Sequence, residues 1–153
     1  MKIKLVFFGK QKSGSVDDLI QEYIKRSNKY ISCDVTYLLA NDKDPIKRKK
    51  KEFSKFSDLI NKDDRVYLLD EKGKQYDSLT LSTKLTHCID SGVKRIILVV
   101  GGAYGFSEEM YKSSNELIAL SKLTLTHEIA RLLISEQIYR SITIINNHPY
   151  HHE

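Results

Sequence analysis

Several stretches of this chain carry side chains able to do chemistry. Gly101-Gly102-Ala103-Tyr104-Gly105 follows an apolar run, and glycines there let backbone approach a ligand where a Cβ would collide. Ser121-Lys122-Leu123-Thr124-Leu125-Thr126-His127 forms a second unusual loop. It closes on a histidine, the side chain that exchanges a proton most readily near neutral pH. His87 and His127 are each single, so each reads as a structural residue or as an acid–base group. The ending Asn146-Asn147-His148-Pro149-Tyr150-His151-His152-Glu153 holds three histidines within five residues, which suits metal binding, a purification tag or a frayed polar terminus. Tyr150 adds a ring able to stack on a base. Arg140 stands four residues after Glu136, so it either reaches a phosphate or closes an i, i+4 ion pair. Lys47-Arg48-Lys49-Lys50-Lys51 reads as a phosphate-contact patch or as a solvated helix face. Asp70, before Glu71-Lys72-Gly73-Lys74, fits ribose binding or turn capping.

The glycine loop lacks both the GxGxxG spacing and a GK[ST] ending, which disfavours phosphate-anchored dinucleotide and nucleoside-triphosphate binding and leaves a nucleoside held by backbone groups open. There is no GxSxG elbow and no HExxH. Cys33 and Cys88 are isolated, which fits two small residues in a reducing compartment.

The elements that must position these groups alternate. Lys2 to Phe8 is a strand, followed by a helix that Ser15 and Asp18 open as a capping box, with Val16, Leu19, Ile20, Tyr23 and Ile24 on one apolar face. Cys33 to Leu39 returns as a strand. Asp44-Pro45 starts a helix with Ile46, Phe53, Phe56 and Ile60 on one side. Arg65 to Asp70 is a third strand, and Ser78 to Cys88 a helix with Leu81, Leu85, Cys88 and Ile89 inward. Ile96 to Val100, short and β-branched, is a buried central strand. A short helix opens at Ser107-Glu108-Glu109, and Leu117 to Leu120 is the last strand. Thr126 to Ile145 is the last helix, with Ile129, Leu132, Leu133 and Ile138 facing the core.

The order βαβαβαβαβα predicts an α/β fold: one domain over residues 1–153, a mostly parallel sheet and helices on both faces. Ligands of such sheets bind at the carboxyl ends of the strands, where both unusual loops fall. The 153 residues suffice for a core without disulfides or a structural metal. No stretch reaches 18 consecutive apolar residues and no signal peptide is apparent, so a soluble cytoplasmic protein is expected. Net charge is +5, a mild bias toward polyanions, and nine tyrosines with no tryptophan supply the rings for stacking.

In combination LLDEKGK, VVGGAYGFS, LSKLTLTHEIAR, EQIYR and NHPYHHE resemble one family along essentially the whole chain: the RlmH-type ribosomal RNA large-subunit methyltransferases of the SPOUT superfamily. Five motifs in order make the resemblance specific, and it argues that the histidine-rich ending is native. It implies methyl transfer from S-adenosylmethionine to N3 of a pseudouridine in 23S rRNA within the ribosome. It also implies a C-terminal trefoil knot, a homodimer, and no membrane or metal partner. Cofactor contacts made largely by main chain would fall on Leu69 in a first loop and Gly101 in a second. Leu120, Ser121, Lys122, Leu123, Thr124 and Leu125 would supply the third. His127, Arg140, His148, Tyr150 and His151 are the candidates for proton removal or anion stabilisation, in a site completed by the tail. His152 stands where some members carry arginine. The competing readings are a non-catalytic nucleotide- or RNA-binding module on the same fold, and a flavodoxin-like carrier, for which the expected phosphate cradle is lacking.

Overall fold

A computed structural model describes residues 1–152. Strands and helices alternate as β1 (Lys2–Phe8), α1 (Ser15–Ser27), β2 (Ser32–Leu38), α2 (Pro45–Leu59), β3 (Arg65–Gln75), α3 (Ser78–Asp90), β4 (Arg95–Val100), α4 (Glu108–Ser113), β5 (Glu116–Ala119) and α5 (His127–Ile145). All pairings are parallel, in the order β2-β1-β4-β3-β5. The central strands are apolar at nearly every position because both faces are covered. On one face Leu5, Phe7, Ile96 and Leu98 pack against Ile20 and Ile24 of α1, Leu85 of α3, and Ile134 and Ile138 of α5. On the other, Val6, Phe8, Ile97 and Val99 pack against Phe56 of α2 and Met110 of α4. Both cysteines are free and buried, and burial pushes the Cys33 thiol up to about 12.

Local chemistry sets the helix starts. Asp44 accepts from the Ile46 and Lys47 amides at 2.8 and 3.1 Å, with Pro45 at the first helical position. Ser107 and Thr126 cap α4 and α5 in the same way. The capping box expected of Ser15 and Asp18 does not form. Gly14 is the cap residue with φ 138, no side chain caps the helix, and Ser15 already lies inside it.

Leu19, Ile46, Ile89 and Ile129, expected inward, are exposed, Ile46 most of all at 69%. Only a stripe of each helix meets the sheet, and these residues lie beside it; Ile46 also precedes the first turn that reaches the core.

β3 runs five residues past its expected end. Its partner in the register jumps: Leu69 and Lys74 both stand opposite Ile118, so Asp70 to Gly73 loop out between them. The segment reads as a turn in sequence, yet Lys74 and Gln75 rejoin the sheet beside β5. Gly73 lies so close to β5 that a Cβ would stand 2.5 Å from the Leu117 carbonyl carbon and 2.6 Å from the Ile118 nitrogen. Gly73→Ala is therefore expected to destabilise the fold toward the upper end of about 1–3 kcal/mol. Urea unfolding with unchanged slope would measure it; a loss below a few tenths would show that the crossing has slack.

Candidate functional site

The carboxyl ends of β3, β4 and β5 open into one cavity of about 480 Å³. Leu69 comes from the end of the first pairing segment of β3, Gly101 from the residue after β4, and Leu120, Ser121, Leu123, Thr124 and Leu125 from the loop after β5. His127, the first residue of α5, lines it as well. Lys122 projects outward, exposed and away from the lining. From Ser121 to Leu125 the only amide engaged among the described residues is that of Leu123, donating to Ser121 Oγ at 2.9 Å. Free amides and carbonyls at a strand end are groups available to a ligand. Gly101 leaves room for the Phe106 ring, which a Cβ would meet at 3.1 Å.

Asp70 is a turn residue. Its carboxylate accepts from the Lys72 amide at 2.9 Å and the Tyr111 hydroxyl at 2.6 Å, and burial with the adjoining carboxylate pushes the Tyr111 phenol up to about 12. The basic run on α2 divides. Lys51 pairs with Asp42 at 2.8 Å, Lys49 lines the cavity, and Arg48 reaches Glu52 at 3.3 Å while lying over the Tyr104 ring at 5.6 Å. Partial burial first, then the cations Arg131, Arg48 and Lys12, hold the His127 imidazole below its ordinary range. It is therefore largely neutral at pH 7 and able to accept a proton.

The other four candidates lie elsewhere in the protomer. Arg140 donates to Glu136 at 2.6 and 2.9 Å, stands 3.2 Å from His151 Nδ1 and lies over the Tyr150 ring at 4.8 Å. Tyr150 donates to the same Glu136 at 3.1 Å. His148 sits apart, edge-on to Tyr30. Arg140 stands 13 positions after His127 on the same helix, about 20 Å along α5. The expected single set thus divides into His127 at the cavity, the Arg140–Tyr150–His151 group, and His148 apart from both. Glu153, the last residue of the ending, lies outside the described residues. Among the described residues no three His, Cys, Asp or Glu side chains are placed to hold a metal, and no helix is long and apolar enough to cross a membrane.

Sequence reasoning passed over Tyr104 as a cavity residue, and the two buried charges that brace the site. Glu52, four residues after Arg48, is only 5% exposed, its carboxylate against Gly102, where a Cβ would meet it at 2.7 Å. Arg131, 7% exposed, donates to the Phe8 and Lys10 carbonyls at 2.8 and 3.1 Å. Their spacing in sequence gave no signal.

A family model described as a predicted SPOUT methyltransferase matches residues 1–151, so a parallel sheet with a cavity at its carboxyl edge has its class: the chain belongs to the SPOUT methyltransferase family. Within that class it is 42% identical to the ribosomal RNA large subunit methyltransferase H of Parabacteroides distasonis, over 157 aligned positions that cover all of both chains. It is 38% identical to the protein of that name from Flavobacterium psychrophilum, again over all of both, and 40% identical to that from Christiangramia forsetii over 99% of each. Among solved structures, a probable methylase family protein from Haemophilus influenzae aligns with TM-score 0.54 at 11% identity, covering 99% of this chain and 70% of that one. A putative RNA methyltransferase from Bacillus anthracis aligns with TM-score 0.52 at 12% identity, covering 97% and 96%. These two likenesses concern the fold.

Proposed function

We propose that this chain methylates N3 of a pseudouridine in 23S rRNA within the ribosome, using S-adenosylmethionine. The observation that carries the reading is the meeting of Leu69, Gly101 and the Leu120–Leu125 loop on one cavity, together with 38–42% identity over the full length to proteins named ribosomal RNA large subunit methyltransferase H. The cavity fits the cofactor by size, within the roughly 300–1,000 Å³ of small-molecule sites, and by its unengaged main-chain groups. Leu69, Gly101, Leu120, Ser121, Leu123, Thr124 and Leu125 would hold it; Lys122 contributes through backbone alone.

When bound, the cofactor supplies a methyl carbon on a sulfonium, a good leaving group. The protein's work is placement and proton removal. His127 would accept the N3 proton of the target base, and Arg48 and Lys49 would favour the uracil-type anion.

The Arg140–Tyr150–His151 group lies too far along α5 to serve the same protomer's cavity, so a second subunit's tail completes the site in a homodimer. Exposed Leu19 of α1 and Ile129 of α5, on helices packed together, offer apolar surface for that pairing. Mixing a His127→Asn chain with an Arg140→Ala chain is expected to restore transfer that neither has alone; no restoration would count against a shared site. The close crossing of Gly73 over β5 supports the reading that the chain before α5 threads under the Asp70–Gln75 segment as a trefoil knot. The chain is one domain that works in the cytoplasm. Mass spectrometry of 23S rRNA from a strain lacking the gene, with and without its restoration, tests the substrate. An unchanged methylpseudouridine signal would remove it, and cofactor binding without transfer would favour a non-catalytic module.

A further inference from the structure

The glycine loop carries a side chain that backbone recognition of a cofactor does not use. Tyr104 stands at the cavity mouth, 45% exposed. The Arg48 guanidinium lies over its ring at 5.6 Å. Arg48 is itself held by the Glu52 carboxylate at 3.3 Å, and that carboxylate is buried against Gly102 of the same loop. The chain Glu52–Arg48–Tyr104 thus ties α2 to the loop and fixes the orientation of one aromatic ring beside the reaction site.

From this geometry we propose that Tyr104 is a stacking platform for the target uracil-type base, with Arg48 and Glu52 as its positioning residues. The proposal rests on reading the cavity as the methyl-donor site. Arg48 occupies one ring face, so one face remains for a single flat partner. The less exposed part of the lining, Leu69, Gly101, Leu120, Ser121 and Leu125, gives the donor's nucleoside apolar and main-chain surface without the ring. The mouth is where a base swung out of an RNA strand arrives, and such bases are received by aromatic stacking. Arg48 adds a cation next to a ring that becomes negative when N3 loses its proton, a contribution a purely apolar platform would lack. Glu52 keeps that cation from moving into solvent.

The test uses full-length Tyr104→Ala, Tyr104→Phe and Arg48→Met proteins, with thermal melts confirming folding. Donor affinity is measured by calorimetry with S-adenosylmethionine, and transfer is measured on large ribosomal subunits lacking the modification. Tyr104→Ala is expected to lower kcat/KM for the subunits by about 10- to 100-fold, the range of one base–aromatic stack, with donor affinity held within about twofold. Tyr104→Phe keeps the ring and restores the rate to within about threefold, and Arg48→Met lowers it in the same direction as the alanine change. If Tyr104→Ala weakens donor binding as much as it slows transfer, the ring belongs to the donor and the proposal falls. Transfer at the unaltered rate would also overturn it. No binding heat in the unaltered protein would remove the cofactor reading itself, and this proposal with it.

Discussion

Replacing His127 by asparagine is expected to slow methyl transfer by about 10²- to 10⁴-fold, the contribution of a positioned general base, while leaving affinity for S-adenosylmethionine nearly unchanged. His127 is the first residue of α5, and Thr126 caps that helix by accepting from the Ile129 amide at 3.3 Å. That start places the imidazole at the cavity wall. Electrostatics supplies the second half. Partial burial, and after it Arg131, Arg48 and Lys12, penalise the protonated ring and lower its pKa. A lowered pKa widens the pH range over which the ring is neutral and can accept a proton. Activity should therefore fall only as pH drops below the ordinary histidine range, and the His127→Asn protein should lack that low-pH limb. A pH–rate profile on unmodified ribosomal subunits measures both. An unaltered rate in the variant, or a limb that survives the substitution, would remove His127 from the proton transfer.

The fold was largely legible because its determinants are local. β4 is a continuous apolar run ended by glycines, Asp44-Pro45 marks a helix start, and the alternation of short apolar runs with helical spacing places both loops at one sheet edge. Those same loops made the cavity legible, since each unusual segment directly follows a strand. The rest depends on contacts distant in sequence. Glu71 to Gln75 has turn composition, and only pairing with β5 makes its far end a strand. Glu52 looks like a solvated helix charge until Gly102 leaves space for it. The histidine-rich ending and His127 resemble one catalytic set in a list of residues, but a helix of 19 residues holds them apart. Length along a helix was available from the sequence, and it argues for two protomers or for two roles.

Arg131→Met is expected to cost about 3–5 kcal/mol of stability, as two hydrogen bonds from a buried charged donor are lost at once. The guanidinium serves the Phe8 and Lys10 carbonyls on either side of Gly9, which turns with φ 116. A Cβ at Gly9 would stand 2.9 Å from Nη2, so glycine and arginine require each other across the chain. The Phe7 and Tyr37 rings, each 5.6 Å from the guanidinium carbon, add cation–π contact that methionine keeps only as packing. Burial lowers the Arg131 pKa, but an arginine stays charged throughout the accessible range, so the loss should not vary with pH between about 5 and 9. The second consequence does involve a proton. Arg131 is one of the cations that depress His127, so its removal should raise the imidazole pKa and move the low-pH limb of activity upward. Urea unfolding reads the first effect and the pH–rate profile the second. A loss under about 1 kcal/mol would mean that water satisfies both carbonyls. A limb that stays in place would mean that burial alone sets the histidine.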